Sequence, residues 1–355
     1  MERQNNTENQ YGRNRRKAKK RKVLFYRAVC VMLCLLIVSV IFGVVYFCKE
    51  GKDSGFPSKE NMKTGEEYSW QTDGQSEAQP PISQHAITDQ ANAIDLDIIA
   101  SNAVVMNKDT NALLYQKNGT DRIAPASTAK MITALTVLEY CSPEEEMRVG
   151  AEIEMIHSDS STAWLMKGDT LTVRQLLIAL MLPSGNDAAY TLAVNTGKTI
   201  TGDNSLSNQQ AIQIFMDKVN EKAKAIGVAD SNFVVPDGYD AEGQYTTAYD
   251  LAIIAKACLE NPIISEIVAS NTSYEKWPNG REVTYNNSNE LLDPNSPYYR
   301  PEVIGLKTGT SSLGGACVVS AAVIDGETYI CVVMGSTKES RFQDSVAILD
   351  KIKAQ

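Results

Sequence analysis

Two reactive side chains stand three residues apart at the start of an apolar run in APASTAKMITAL, residues 124–135. Residues at this spacing share one face of a helix, so the hydroxyl of Ser127 and the amine of Lys130 would lie side by side. A serine hydroxyl is a poor nucleophile until a base removes its proton. An amine can act as that base once burial and neighbouring positive charge lower its pKa. The pair therefore indicates nucleophilic catalysis, although an isolated pair at this spacing is more often a helix start followed by a solvated lysine.

Two further short polar motifs interrupt apolar segments. SGN occupies residues 184–186 in MLPSGNDAA, and KTG occupies residues 307–309 in VIGLKTGTSS. Each motif alone is a weak signal, because SGN is commonly a turn and KTG is commonly the start of a strand. In this order, however, S-x-x-K, S-x-N and K-T-G are the motif set of penicillin-binding proteins and class A β-lactamases. Their joint occurrence favours one acyl-transfer site assembled from three segments.

The histidine content argues against a Ser-His-Asp triad. His85 and His157 are the only two histidines; the first lies in a polar segment and the second in IEMIHSD, outside all three motifs. An amine therefore remains as the base. Lys307 is one candidate for the positive neighbour that would lower the pKa of Lys130.

Predicted strands and helices surround these motifs in the sequence. AVVMNKDTNALLYQ predicts two short strands around residues 107–111, and a helix is predicted from about Ser127 with Met131, Leu135 and Leu138 facing inward. TVRQ, residues 172–175, has the form of a capping box, and Pro183 would end the helix that it starts.

The remaining predicted elements divide by region. Further helices are predicted around residues 188–195, 209–226, 248–259 and 341–353, and strands at 303–307, 316–323 and 328–334. Strands at both ends of the sequence with helices between them predict an α+β domain, in which one antiparallel sheet packs against helices.

From about Asp95 to Gln355 the chain resembles the low-molecular-weight penicillin-binding proteins, the serine D-alanyl-D-alanine carboxypeptidases of the S11 peptidase type. Three long stretches carry the resemblance together with the motifs: MKGDTLTVRQLLIALMLPSGNDAAYTLA, PDGYDAEGQYTTAYDLAIIA and KTGTSSLGGACVVSAA. The resemblance implies a β-lactamase/penicillin-binding-protein-like fold and removal of the terminal D-alanine from peptidoglycan stem peptides. It also implies β-lactam antibiotics as covalent inhibitors, with no cofactor and no metal.

The residue types and the resemblance together predict the roles of the first two motifs. Ser127 would be the nucleophile, Lys130 its base, and Ser184 a relay that passes the proton towards the leaving amine. Asn186 would hold Lys130 and the amide of the substrate.

The third motif and one arginine are predicted to bind substrate. Lys307 and Thr308 would contact it, and Gly309 would leave room for a peptide alongside the strand. The resemblance implies an oxyanion hole formed by the N–H groups of Ser127 and Thr310. Arg341, in GSTKESRFQDSVAIL, corresponds to an arginine of the family and would bind the terminal carboxylate; the alternative is a surface charge that begins the last helix. Ser288 stands where some relatives have an arginine before the third motif.

Two other functions compete with the carboxypeptidase. A β-lactamase needs fast deacylation, which class A enzymes owe to a glutamate between the second and third motifs. Glu221 in VNEKAKAIG lies at the corresponding distance and is predicted to be an exposed helical residue. A non-catalytic scaffold that binds cell-wall peptides would usually have lost a motif residue, whereas every motif residue is present.

The N-terminal quarter predicts a membrane anchor. Residues 28–48 contain no charge and match the length that crosses a bilayer; a cleaved signal peptide, the alternative, would have a shorter apolar region and a small-residue cleavage site. The basic cluster RNRRKAKKRK places the N-terminus in the cytoplasm. The predicted organisation is a cytoplasmic tail (1–27), a transmembrane anchor (28–48), a disordered stalk (49–92) and an extracytoplasmic catalytic domain (93–355).

The charge distribution and the cysteines exclude other classes. Residues 1–22 carry nine Lys/Arg against two Glu, and the remainder carries 25 basic and 41 acidic residues, which argues against nucleic acid as a partner. The seven cysteines have no metal-like spacing. CVVSAAVIDGETYICVVM predicts a hairpin turning at residues 325–326, with Cys331 opposite Ser320 and Cys317 opposite Met334. The two cysteines would then face opposite sides of the sheet as buried free thiols.

Overall fold

The computed structural model describes residues 94–355. The predicted cytoplasmic tail, transmembrane anchor and stalk lie outside the described residues, and so does His85. Within residues 94–355, no helix combines the length and the apolar character needed to cross a bilayer.

The fold is built on a five-stranded antiparallel sheet with the order β2-β1-β9-β8-β7. In chain order the strands are β1 (Asn102–Asn107), β2 (Leu113–Lys117), β3 (Glu146–Arg148), β4 (Thr170–Thr172), β5 (Thr272–Lys276), β6 (Glu282–Asn286), β7 (Val303–Ser311), β8 (Gly315–Ile324) and β9 (Glu327–Ser336). The pairs β3-β4 and β5-β6 form two separate small sheets. Because β1 pairs with β9, strands from both ends of the described chain lie in one sheet, and this confirms the predicted α+β architecture.

Seven α-helices pack around this sheet in the described part of the chain. They are α1 (Lys130–Tyr140), α2 (Val173–Met181), α3 (Asn186–Thr201), α4 (Asn208–Ala225), α5 (Ala248–Glu260), α6 (Pro262–Ala269) and α7 (Ser340–Lys353). The structure confirms the predicted helices, including the capping box between Thr172 and Gln175. Helix α6 and the β5-β6 hairpin were not predicted, although Asn261 at the N-cap and Pro262 at the first position are typical helix-start signals.

The sheet separates two hydrophobic cores. The strands alternate, so that Val104 and Met106 face the helices α1 to α6, whereas Val105 faces α7. Helix α1 is buried on every side from Lys130 to Val137, because α3, α4 and α5 surround it. The sequence predicted burial of one face of this helix only, with Met131, Leu135 and Leu138 facing inward. A central helix is instead buried on all of its faces.

The β8-β9 hairpin has the predicted turn, with positive φ at both Asp325 and Gly326. Ser320 pairs with Cys331 as predicted. The pairing of Cys317 with Met334 is wrong, because a bulge shifts the register there. The two cysteines nevertheless face different cores, and all four cysteines of the described residues are buried free thiols.

Candidate active site

The proposed nucleophile lies on a single 3₁₀ turn, Ala126–Ala129, that runs directly into α1. Ala126 has a φ of 49°, in the left-handed region that residues other than glycine rarely adopt. Ser127 is partly exposed to a cleft of about 730 Å³. Lys130 follows one turn later and is fully buried. The sharp turn thus places the hydroxyl in the cleft and the amine beneath it.

The Lys130 amine contacts oxygens from three segments. Its Nζ lies 2.9 Å from Ser127 Oγ, 2.8 Å from Asn186 Oδ1 and 2.7 Å from the main-chain oxygen of Asp237. The amide and main-chain oxygens can only accept hydrogen bonds. A neutral amine that donates both of its protons to them keeps its lone pair for the hydroxyl proton of Ser127. This arrangement suits a general base.

Burial lowers the pKa of Lys130 from 10.5 to about 8, while the negative charges of Asp237 and Asp187 act in the opposite direction. Lys307 is also fully buried, and burial together with the charges of Lys130 and Arg341 holds its pKa well below the usual value. The sequence predicted that burial and a neighbouring positive charge, with Lys307 as one candidate, would lower the pKa of Lys130. Burial has this effect in the structure, whereas the positive charge of Lys130 acts on Lys307 and lowers the pKa of that residue.

Asn186 begins α3 and holds Lys130 in place. Its Nδ2 donates to Ser160 Oγ at 2.9 Å, which orients Oδ1 towards the lysine. Its main-chain N–H donates to Ser161 O at 2.9 Å. The polar run SDSS, residues 158–161, therefore supports the second motif, although it matches no motif in the sequence.

Ser184 lies in the turn between α2 and α3 and has a φ of 65°. Its Oγ is buried and has no hydrogen-bond partner among the described residues. Its main-chain oxygen accepts a hydrogen bond of 2.6 Å from Ser161 Oγ. Ser184 and Ser127 line the same cleft, so an unpaired hydroxyl is available close to the nucleophile.

The third motif lies on β7, the edge strand of the sheet. A Cβ at Gly309 would lie 2.9 Å from the main-chain nitrogen of Ser127, so glycine here allows the strand to approach the nucleophile turn closely. Thr308 Oγ1 lies 2.6 Å from Ser288 Oγ, and both residues line the cleft. Lys307 Nζ donates to Thr308 O at 3.1 Å.

Arg341 is the second residue of α7, and its side chain lines the cleft next to β7. Its Nη1 donates to Gly309 O at 3.0 Å, Thr310 Oγ1 at 3.2 Å and Cys317 O at 3.3 Å. Its Nε is buried and has no partner among the described residues. Burial lowers the pKa of Arg341. The arginine is thus attached to the third-motif strand, and carboxylate binding remains a prediction.

The loop after α4 joins the walls of the cleft. Tyr239 stacks on His157 at 3.8 Å between ring centroids, and its hydroxyl donates to Asp159 Oδ1 at 3.0 Å. Asp240 Oδ2 accepts the main-chain N–H of Leu313 at 2.9 Å, in the β7-β8 turn. This loop belongs to PDGYD, and no single residue in it was predicted as a site residue.

Glu221 takes no part in the cleft. It is exposed on α4, as predicted, and it forms an ion pair with Lys218 at 2.6 Å. In the described residues, no glutamate lines the cleft.

Comparison with known proteins decides the family. The family model of peptidase S11, D-alanyl-D-alanine carboxypeptidase, matches residues 86–338. The chain belongs to this family. The match contains all three motifs, and the described fold is the α+β fold of penicillin-binding proteins and β-lactamases.

Individual S11 relatives cover the same region. The D-alanyl-D-alanine carboxypeptidase of Streptomyces sp. strain K15 is 32% identical over 265 residues, which span 71% of this chain and 87% of that protein. The carboxypeptidase DacF of Bacillus subtilis is 30% identical over 255 residues, which span 71% of this chain and 61% of DacF. The chain thus matches about three fifths of the Bacillus protein. The crystal structure of the Streptomyces K15 DD-transpeptidase superposes with a TM-score of 0.67 at 30% identity, covering 74% of this chain and all of that one.

Proposed function

We propose that this S11 family member is a serine D-Ala-D-Ala carboxypeptidase that removes the terminal D-alanine from peptidoglycan pentapeptides. One observation carries the proposal: a hydroxyl that opens into a cleft lies 2.9 Å from a fully buried amine whose pKa is about 8. A base that titrates near the working pH is the kind that general-base catalysis requires.

The reaction begins when Lys130 takes the proton of Ser127. The Oγ attacks the carbonyl carbon of the penultimate D-alanine, and the N–H groups of Ser127 and Thr310 stabilise the oxyanion. The C–N bond then breaks, and the proton passes from Lys130 through Ser184 to the leaving amine of the terminal D-alanine. In the second half, Lys130 takes a proton from water, which attacks the ester carbonyl. The bond to Ser127 Oγ then breaks, Oγ receives the proton from Lys130, and the tetrapeptide is released.

Substrate would lie along the free edge of β7. An edge strand offers unpaired N–H and C=O groups to an extended peptide. Lys307, Thr308 and Thr310 would bind the substrate beside the nucleophile, and Arg341 would neutralise the terminal carboxylate. Asn186 would bind the amide of the substrate as well as Lys130.

A direct test separates this function from its competitors. The purified catalytic domain is incubated with a peptide ending in Lys-D-Ala-D-Ala, and free D-alanine is measured. Release of D-alanine that Ser127→Ala abolishes supports the carboxypeptidase. Rapid β-lactam hydrolysis would favour a β-lactamase, and failure of both reactions would favour a non-catalytic wall-binding scaffold.

β-Lactam antibiotics provide a covalent test of the nucleophile. A β-lactam resembles the acyl-D-Ala-D-Ala terminus, so Ser127 would open its ring and remain as an acyl-enzyme. Intact-mass analysis is expected to reveal one adduct that maps to the peptide containing Ser127 and is lost in Ser127→Ala. An adduct on another residue would overturn the assignment.

Transpeptidation is a second candidate, because the Streptomyces K15 structure that matches this chain is named a DD-transpeptidase. The two reactions share the acyl-enzyme and differ only in whether water or an amine accepts the acyl group. Adding an amine acceptor such as glycylglycine to the peptide assay distinguishes them. Hydrolysed peptide as the main product supports the carboxypeptidase, and the amide adduct supports the transpeptidase.

We also propose a location at the cell membrane, with residues 28–48 as the anchor and the catalytic domain outside. The support is the uncharged run of 21 residues behind a basic segment. Protease added to intact cells is expected to cut within residues 49–92 and release an active domain. Release without protease, with a new N-terminus near residue 49, would indicate a cleaved signal peptide instead.

A further inference from the structure

One buried carboxylate beside the base has no role in the steps above. Asp237 is 1% exposed, and its main-chain oxygen accepts a hydrogen bond of 2.7 Å from Lys130 Nζ. Its Oδ1 accepts the main-chain N–H of Tyr239 at 3.0 Å. Its Oδ2 is buried without a hydrogen-bond partner among the described residues. Such a carboxylate is costly to bury unless a nearby cation stabilises it.

The backbone around Asp237 is clamped to the turn that carries the nucleophile and the base. Thr133, on α1, donates through Oγ1 to Pro236 O at 2.8 Å. Gly238 has a φ of 78°, and a Cβ there would lie 2.0 Å from Ala126 O. The segment 236–238 therefore touches the 3₁₀ turn just before Ser127 and helix α1 just after Lys130. This contact sets the position of Asp237 relative to the amine.

We propose that Asp237 is a positioning residue for the base: its main-chain oxygen aims the amine of Lys130 at Ser127, and its carboxylate stabilises the ammonium that forms when Lys130 takes the serine proton. The proposal rests on the proposed function, since it needs Lys130 to be the base. In this role Asp237 corresponds chemically to the third group that orients the base in other serine enzymes.

The charges that face Lys130 come from three elements. Asp187 lies on α3, Asp237 on the segment before α5, and Lys307 on β7. Asp237 is the larger of the two negative influences that raise the pKa of Lys130 against the effect of burial. The same carboxylate contributes to the raised pKa of Tyr190 on α3. Without the charge of Asp237, only Asp187 would oppose the effect of burial, and the pKa of Lys130 would fall.

The test is Asp237→Asn, which removes the charge and keeps both the main-chain oxygen and the side-chain shape. The rate of Ser127 acylation by a β-lactam is measured from pH 5.5 to pH 10. The acidic limb of the variant is expected to shift to lower pH by about 1 unit, the size typical of a nearby opposite charge. The plateau rate is expected to fall roughly 3- to 10-fold, because the base is weaker and its ammonium is less stabilised.

Asp344→Asn is the matched control. Asp344 is also a buried aspartate whose carboxylate accepts main-chain N–H groups, those of Ile99 and Ala100, but it lies on α7 and makes no contact with Lys130. This variant is expected to keep the acidic limb of the wild-type protein. If Asp237→Asn does not fold, as judged by circular dichroism, Asp237→Ser replaces it with the same expected direction of shift.

The outcomes separate the two proposals. An acidic limb that stays at the wild-type pH in a folded Asp237 variant overturns the role of Asp237, whatever happens to the plateau. An equal shift in Asp344→Asn would also overturn it, because the effect would then not be specific to this carboxylate. Absence of acylation at Ser127 in the wild-type protein would instead refute the proposed function itself.

Discussion

The two ends of the cleft hold their basic side chains, Lys130 and Arg341, in different ways. The Lys130 amine is fully buried and contacts oxygens from three segments that are distant in the sequence. The Arg341 guanidinium is partly exposed, and its hydrogen bonds all go to two neighbouring strands, β7 and β8. The first arrangement depends on packing that brings α1, the start of α3 and the segment around Asp237 together. The second is local to one edge of the sheet.

This difference separates chemistry from recognition. Substitutions around Lys130 are expected to slow acylation by every substrate and inhibitor, because the base acts in each reaction. Substitutions around Arg341 are expected to matter for substrates that carry a terminal carboxylate. The following experiments test that division, from the largest expected effect to the smallest.

The largest effect is expected from Lys130→Ala. Loss of the general base is expected to slow both β-lactam acylation and peptide turnover by about 10²- to 10⁴-fold. Rates of adduct formation and of D-alanine release measure the two effects. The control replaces both His85 and His157 by alanine and is expected to retain most of the activity; a large loss in that variant would revive a histidine mechanism.

The pH dependence of the acylation rate should be set by Lys130. Folding lowers the pKa of Lys130 to about 8, so the fraction of neutral base falls as the pH drops below 8. The acylation rate is therefore expected to fall about tenfold per pH unit below that value, and roughly 100-fold between the plateau and pH 6. Arg341→Ala should leave the midpoint unchanged. A shift of the midpoint in that variant would show that the two ends are coupled.

The next effect concerns recognition of the carboxylate. Arg341→Ala is expected to lose about 1.5–3 kcal/mol of transition-state binding on a peptide acid, since a charge-assisted hydrogen bond disappears. The loss should shrink greatly for the amidated peptide, which has no carboxylate. Measuring kcat/KM on both substrates checks this. Equal losses would show that Arg341 only braces β7 and would leave recognition to Lys307, Thr308 and Thr310.

The smallest effect is expected at Ser288, which contacts the third motif. Ser288→Ala removes the 2.6 Å contact with Thr308 Oγ1, a neutral hydrogen bond of about 0.5–1.5 kcal/mol. We expect a few-fold rise in KM with little change in kcat, because Thr308 would lose orientation while Ser127 and Lys130 remain in place. Steady-state kinetics measure the split. A fall in kcat as large as the rise in KM would place Ser288 in the chemistry.

Local patterns explain why much of the fold was predictable. The capping box at Thr172 and the turn at Asp325-Gly326 depend on hydrogen bonds and φ values within a few residues, and both were found as predicted. The pairing of Cys317 was predicted wrongly. The bulge that displaces it also involves Gly335, which lies on the neighbouring strand and has a φ of 64°. An irregularity shared by two strands has no signature in either one alone.

The sequence by itself determined the chemistry that is available: a serine and a lysine one turn apart, two further polar motifs in a fixed order, and no histidine near them. Spacing along one helix sufficed to pair Ser127 with Lys130, because helical geometry is local. The tertiary structure decided the rest. It buried Lys130 enough to lower its pKa, and it brought the oxygens of Asn186 and Asp237 to the amine across 56 and 107 residues of sequence. Desolvation and long-range contacts depend on how the whole chain packs, so no single segment of the sequence could reveal them.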